Sequence, residues 1–225
     1  MSDTNKALKK EFELERMILF SDAVFAIGIT LLVIEIKFPE IPRNASVPEI
    51  SKAFRPSIIH FFAFMLSFFY IGMMWSRHLK MFKFLRTYDD VLIMRNLVFI
   101  FFVVCFPFTA SGFSENLSDG HTFPIFFYLG NIWLVNVAHV WLCYYLFKQK
   151  KSLCIPGFDA EKKYMLLNGA STSLIFTITL ILMIIVAVVF GSEIIPIISC
   201  IYLMPVMLLI SKRILKKYKP IERKN

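Results

Sequence analysis

Several polar side chains interrupt the long apolar stretch that follows residue 16. Ser21, Asp22 and Thr30 lie among aliphatic and aromatic residues, with Arg16 at the start of the stretch and Glu35 at its end. Removing a charged or hydroxyl group from water costs free energy unless it finds a partner, so polar residues in such a segment point to a functional role. They could contact a cation or hydrogen-bond to a neighbouring helix.

The elements that must position these residues are membrane-spanning helices. Of the 225 residues, 57% are apolar and 18% are charged, whereas soluble domains average about 45–50% and 25%. A helix needs about 20 largely apolar residues to cross a bilayer. We predict six spans, at residues 17–36, 57–76, 91–113, 123–147, 166–190 and 194–211. Because these runs are continuous rather than alternating, they favour helices over a strand barrel, and we expect an all-α integral membrane protein.

The net charge of +9 is distributed unevenly between the two sides of the predicted bundle. Of the 25 Lys and Arg residues, four lie in 37–56 and 20 lie in the alternate segments 1–16, 77–90, 148–165 and 212–225. Because cytoplasmic segments carry the basic excess, both ends are predicted to be cytoplasmic, in a plasma (inner) membrane. The charge thus reports orientation, and nucleic-acid binding lacks an interleaved aromatic platform.

This orientation predicts three regions. They are a cytoplasmic N-terminal segment at 1–16, a six-helix transmembrane domain at 17–211 and a basic cytoplasmic tail at 212–225. The tail anchors the positive-inside orientation or contacts acidic lipid.

The first span has two distinct faces. At about 100° per residue, positions i, i+3, i+4 and i+7 form one stripe, which consists of Ile27, Thr30, Leu31 and Ile34. Ser21 and Asp22 point roughly 130° away from the centre of this stripe. Periodicity alone leaves open whether the stripe faces lipid, other helices or a central axis.

Asp22 requires a hydrogen-bonding partner inside the membrane. The predicted topology places three candidates on the same side: Arg16, His78 at the end of the second span, and Asn96 near the start of the third. In the fourth span, His139, Asn131 and Asn136 are expected to be inter-helix packing groups.

The first span also carries a recognisable motif. Arg16-x-x-x-Phe20-Ser21-Asp22, followed by Ala-Val-Phe-Ala-Ile-Gly-Ile-Thr-Leu-Leu-Val, closely resembles the signature of the transmembrane protein 175 family of potassium channels, in its single-repeat prokaryotic form. Trp75, His78 and Asn96 also resemble positions of the family.

The resemblance implies a homotetramer whose first helices line a central pore. The constriction residue of the family falls on Ile27 and the threonine three places further on falls on Thr30, with Leu31 and Ile34 on the same axis. Potassium ions would pass at Ile27 and Thr30 without a tight metal site. The motif residues and the positions above are expected to anchor the pore helix; they are Arg16, Phe20, Ser21, Asp22, Trp75, His78 and Asn96. No cofactor or enzymatic activity is implied.

The expected selectivity mechanism does not use a backbone-carbonyl filter. That filter requires a Thr-Val-Gly-Tyr-Gly loop, which this sequence lacks, and the predicted fifth and sixth spans leave only Gly191, Ser192 and Glu193 between them. A ring of Ile27 side chains would instead form a hydrophobic constriction. Because potassium gives up its hydration shell more readily than sodium, such a neck favours potassium modestly.

Three other readings of the polar residues remain open. A secondary transporter or proton-coupled carrier would also place Asp22, Glu35, His78 and His139 in or near spans, although it usually shows inverted repeats, which this sequence lacks. An intramembrane enzyme would need ligand or nucleophile spacing that the four histidines do not provide. An oligomeric scaffold without transport is the third reading.

Overall fold

The structure is a computed structural model that describes residues 3–36, 38–117, 121–191 and 203–219. These residues form an all-α bundle. Its helices are α1 (Asp3–Leu31), α2 (Val47–Phe82), α3 (Asp90–Val104), α4 (Phe106–Leu117), α5 (Phe123–Tyr144), α6 (Asp159–Phe190) and α7 (Leu203–Leu215). Short turns of other helix types extend three of them, at Leu32–Glu35 after α1, Tyr145–Gln149 after α5 and Lys216–Tyr218 after α7.

Five helical stretches in the described part of the chain are long and apolar enough to cross a membrane. They are Lys9–Ile34, Val47–Phe82, Asp90–Glu115, Phe123–Gln149 and Asp159–Phe190. Each contains most of one of the first five predicted spans. The start of the sixth predicted span, 194–211, lies outside the described residues, and its remaining part, 203–211, is helical within α7.

Helices α1 and α2 extend well beyond the predicted spans. Helix α1 begins at Asp3, so the predicted boundary at residue 16 falls inside a continuous helix. Helix α2 begins at Val47 because Ser46 caps it: the Glu49 carboxylate accepts hydrogen bonds from the Ser46 backbone N–H and hydroxyl, both 2.7 Å long. Such a cap satisfies backbone groups that a helix start leaves unpaired, and the helix continues through Pro56.

The third predicted span is not one continuous helix. Helix α3 ends at Val104, Cys105 caps it, and α4 begins at Phe106. Pro107 explains the interruption, because proline has no N–H to donate to a carbonyl one turn earlier and its ring crowds that carbonyl. At the start of a new helix the missing N–H costs nothing.

Helix α5 lies at the centre of the bundle, packed against α3, α4 and α6. Its buried polar side chains pair with neighbouring helices. Asn136 Nδ2 donates to the Tyr70 hydroxyl of α2 over 2.7 Å, and Asn131 Nδ2 donates to Thr109 Oγ1 of α4 over 3.3 Å. Asn131 and Asn136 thus make the inter-helix contacts that the sequence predicted for them. Each pair fixes the register of two helices, because sliding either one would leave buried polar groups unsatisfied.

Four connecting or terminal segments meet at one end of the bundle. The Leu153 carbonyl accepts the Arg86 N–H over 2.8 Å, which joins the α2–α3 and α5–α6 connections. The Tyr88 hydroxyl donates to the Glu13 carboxylate of α1, which raises the pKa of Tyr88. The Lys163 ammonium lies 5.3 Å from the ring centre of Tyr218, beyond α7. These contacts bring together the four basic segments that the charge asymmetry assigned to one side.

Candidate functional site

One face of α1 is buried against the bundle. Ser21, Phe25 and Leu32 are at most 2% exposed and recur at helical spacing, and α1 packs on α2 and α3. Gly28 lies on the same face, close to α3: a Cβ atom at this glycine would lie 3.9 Å from the backbone oxygen of Val103. The small residue therefore sits where the two helices approach each other closely.

A chain of hydrogen bonds crosses three helices behind this face. Ser21 Oγ donates to the Met17 carbonyl over 3.0 Å and accepts from Asn96 Nδ2 over 2.8 Å. Asn96 Oδ1 in turn lies 2.8 Å from His78 Nε2. Since the amide oxygen only accepts, His78 must carry its proton on Nε2. The chain therefore links α1 to α3 and α3 to α2 through fully buried side chains.

His78 is enclosed by aromatic rings. Its imidazole stacks on Phe99 with ring centres 5.1 Å apart, and Phe82 and Phe25 lie at 4.1 and 5.5 Å. Its second nitrogen, Nδ1, has no hydrogen-bond partner among the described residues. The neutral ring suits this apolar surrounding, because burying a charge among aromatic rings costs free energy. His78 therefore acts as a structural donor in this chain.

Asp22 bonds to a residue that was not among its predicted partners. Trp75 Nε1 donates to Asp22 Oδ1 over 2.9 Å, whereas His78 and Asn96 belong to the chain that ends on Ser21. The Arg16 guanidinium instead lies over the Phe12 ring, 6.0 Å from its centre. The expectation that Arg16, His78 or Asn96 pairs with Asp22 is thus wrong. Asp22 lies about 100° around the helix from Ser21, so it faces Trp75 of α2 rather than Asn96 of α3.

The opposite face of α1 is exposed in the single chain. Ile27 and Ile34 are 57% and 66% exposed, and Thr30 and Leu31 are exposed between them. The Thr30 hydroxyl donates to the Ile27 carbonyl over 2.9 Å, which uses its only proton. The Thr30 oxygen therefore offers acceptor lone pairs outward, the polarity that a cation requires.

Arg16 and Phe20 lie on the exposed face and outside the hydrogen-bond chain. Phe20 is seven residues before Ile27, which is nearly two helical turns, and its side chain is exposed. Arg16 is exposed as well. The structure thus brings together Ser21, Asp22 and their partners on α2 and α3, but it does not bring Arg16 or Phe20 into that group. The sequence already indicated this separation, because Phe20 and Ile27 are seven residues apart and therefore lie on the same face of a helix.

A sequence-family comparison matches the part of the chain that contains this site. Residues 16–107 match the model of the family described as the endosomal/lysosomal potassium channel TMEM175. The match covers α1 from Arg16 onward, all of α2 and α3 and the start of α4. The resemblance inferred from the first-span motif is confirmed over these residues.

Curated relatives also match slightly less than half of this chain. Proteins named as potassium channels from Streptomyces collinus and Chamaesiphon minutus are each 34% identical to this chain, over 100 and 110 residues. The matches cover 44% and 48% of this chain, and 47% and 53% of those proteins. The chain spans about half the length of the curated relatives it matches.

Solved structures share the fold over most of the chain. A crystal structure of a lysosomal potassium-selective channel TMEM175 homolog from Chamaesiphon minutus aligns with a TM-score of 0.59 and 21% identity, covering 88% of this chain and 98% of that one. A variant of the potassium channel MtTMEM175, in complex with a nanobody–MBP fusion protein, aligns with a TM-score of 0.65 and 18% identity, covering 90% and 93%. The all-α fold is therefore shared.

Asn96 is the residue on which the three-helix chain depends. Replacing Asn96 by Ala leaves the Ser21 hydroxyl and the His78 Nε2–H without this partner, which costs about 1–3 kcal/mol for buried polar groups. We expect a lower apparent melting temperature in detergent, measured by intrinsic fluorescence. Asn44→Ala, the same change in an exposed position, should leave it unchanged. Equal melting temperatures for the Asn96 variant and the native protein would contradict the role given to this chain.

The Asp22–Trp75 pair can be tested by a double-mutant cycle. Asp22→Asn weakens the acceptor and Trp75→Phe removes the donor, so each single change breaks or weakens the same hydrogen bond. We expect the double variant to lose less stability than the sum of the two single variants, with a coupling of about 1 kcal/mol. Unfolding in a graded denaturant supplies the measurement. Strict additivity would show that the bond does not contribute.

Proposed function

We propose that this chain, which matches the TMEM175 family over residues 16–107, is a potassium channel with modest potassium preference. The exposed stripe of α1 carries the proposal. It lies opposite the hydrogen-bonded face, in the region that matches the family. An apolar stripe with one outward acceptor group fits a dewettable ion path better than a substrate pocket.

A complete ion path requires more than one copy of the chain. The candidate stripe lies on the outside of the single bundle, where Ile27, Leu31 and Ile34 expose large apolar surfaces. Most homo-oligomers close around a symmetry axis, and we propose a homotetramer in which four α1 helices enclose the pore. The buried face of α1 would then transmit the position of each bundle to the pore wall.

The proposed constriction is a ring of Ile27 side chains, followed by Thr30. A narrow ring of aliphatic side chains excludes water and closes the pore, and it conducts when it widens. An ion that passes it sheds part of its hydration shell. The Thr30 oxygens, whose lone pairs are free because their protons bond to the Ile27 carbonyls, can replace some of the lost ligands. Potassium pays less than sodium for this exchange, so the preference is for potassium but modest.

The buried face of α1 carries side chains that hold this helix against α2 and α3. We propose that Ser21, Asp22, Trp75, His78 and Asn96 orient the helix and do not contact ions. Their partners are all side chains or carbonyls of the same subunit. For Arg16 and Phe20, which make no such hydrogen bonds with the described residues, we propose a role between neighbouring subunits, since they lie on the exposed face of α1.

The protein is an integral membrane protein, and we propose that it lies in a prokaryotic inner membrane with both ends in the cytoplasm. The meeting of the four basic segments at one end of the bundle supports this orientation, because cytoplasmic segments carry the excess of Lys and Arg. The bacterial origin of the curated relatives supports the assignment to a prokaryotic membrane.

Replacing Ile27 by Asn tests the constriction. Purified native protein in a planar bilayer under a potassium/sodium gradient should give single-channel steps and a reversal potential that favours potassium. The Asn side chain wets the neck, so we expect a higher leak and a several-fold lower potassium/sodium permeability ratio. Ile181→Asn is the matched control, because Ile181 is similarly exposed but lies on α6.

Two results would contradict the proposal at different points. Native protein that never conducts, or that shows saturable exchange in counterflow, would argue against a channel. Native conduction that Ile27→Asn leaves unchanged would argue against Ile27 as the neck while leaving the channel in place.

A further inference from the structure

A basic cavity opens between α2, α6 and Lys219, which follows α7. Its volume is about 530 Å³, and four cationic side chains line it: Arg77, Lys80, Lys83 and Lys219. Glu161 is the one carboxylate among its described lining residues. Four positive charges against one negative charge make this cavity a site of positive potential, which attracts anions.

A second, more apolar cavity adjoins the first. It has a volume of about 210 Å³ and shares Arg77 and Asn168 with its neighbour. Met73, Phe176 and Leu208 give it an apolar wall, and Lys212, Thr172 and Ser211 also line it. The first cavity is mainly charged and the second has the larger apolar share. The Arg77 side chain lines both cavities.

The cations of the first cavity have no carboxylate partner among the described residues. Among residues 3–36, 38–117, 121–191 and 203–219, none of Arg77, Lys80, Lys83 and Lys219 has a hydrogen bond or ion pair with a carboxylate. Among the described residues, the hydrogen bond of the Arg77 guanidinium is to Met74 Sδ, at 3.9 Å. A guanidinium has five N–H donors, so the remaining donors of Arg77, which lines the cavity, are available to anionic oxygens.

The two cavities lie on either side of the predicted membrane boundary. Arg77 and Lys212 each directly follow a predicted span, 57–76 and 194–211. Met73 and Leu208 belong to those spans, whereas Lys80 and Lys83 lie beyond the boundary. The charged cavity is therefore at the depth of lipid headgroups and the apolar one is at the depth of acyl chains.

We propose that this pair of cavities binds an anionic phospholipid of the cytoplasmic leaflet. The lipid phosphate lies among Arg77, Lys80, Lys83 and Lys219, and part of one acyl chain occupies the space between Phe176 and Leu208. Arginine suits the central position because its planar guanidinium binds phosphate oxygens in pairs. A free phosphate would fill the charged cavity but would leave the apolar one without a ligand, which is why a lipid is the better fit. This site does not depend on ion conduction.

Lipid retention can be measured directly on the full chain. The purified protein in detergent is incubated with phosphatidylglycerol or phosphatidylcholine of identical acyl chains, and bound lipid is counted by native mass spectrometry. We expect phosphatidylglycerol to be retained in preference to phosphatidylcholine. Inorganic phosphate, added in a parallel arm at the concentration of the lipid, should not displace it because it cannot use the apolar cavity.

Two sets of variants locate the binding. The double variant Lys80→Gln/Lys83→Gln changes only exposed side chains of the cavity, and retention of phosphatidylglycerol should fall roughly five-fold per charge removed. Lys150→Gln/Lys151→Gln removes two exposed charges from the same end of the bundle but outside the cavity and should retain the lipid normally. Leu208→Trp, which fills the apolar cavity, should lower lipid retention without creating phosphate binding.

Each alternative outcome would overturn the proposal. Equal retention of the two lipids would show that the headgroup charge is not recognised. Displacement by inorganic phosphate would identify a free-anion site instead. Equal losses in the cavity variant and the Lys150/Lys151 variant would show a diffuse attraction to the basic end of the bundle.

Discussion

The hydrogen-bond chain from His78 through Asn96 to Ser21 fixes the rotation of α1 about its own axis. A transmembrane helix gains little from turning one apolar face rather than another towards its neighbours, because lipid is as apolar as the side chains. Buried polar groups differ in this respect, since rotation by one residue would leave each of them without a partner. This constraint therefore determines which residues of α1 look outward.

Helical geometry extends that constraint to the opposite face. With Ser21 and Asp22 bound to α3 and α2, the stripe of Ile27, Thr30 and Leu31 must point away from the bundle. The same geometry gives Thr30 its polarity, because its proton is used within the helix. One set of contacts inside the chain thus orients an apolar surface with one acceptor group outward. In the proposed homotetramer, selectivity and gating would follow from how closely four such surfaces approach one another.

The sequence predicted the features that depend on composition and period. Continuous apolar runs located five spans that the structure describes, and the distribution of Lys and Arg identified the four segments that meet at one end. The angular separation of Ser21 and Asp22 from Ile27 followed from the 3.6-residue period. Each of these is a property of one segment or of a sum of charges, so no knowledge of neighbours was needed.

The sequence did not predict the features that depend on which helices lie next to each other. The period gives the direction of Asp22 but not which helix stands there, so Trp75 was missed as its partner. Arg16 and Phe20 were grouped with Asp22 by resemblance, although the structure places them on the other face. Helix α2 begins as early as Val47 because Ser46 and Glu49 cap it. The third predicted span is divided at Cys105 because a new helix begins just before Pro107. The basic cavity combines residues of α2, α6 and the segment after α7, which are far apart in sequence.

The proposed position of Ile27 at a symmetry axis is most directly tested by cross-linking. Ile27→Cys is introduced into a chain whose four native cysteines are replaced by alanine, with Ile181→Cys in the same background as the control. Oxidation should produce covalent dimers of the Ile27→Cys protein and reduce its potassium current in a planar bilayer, and a reductant should reverse both effects. If oxidation produces no dimers at residue 27 and leaves the current unchanged, the first helices do not meet there, and the pore must lie elsewhere.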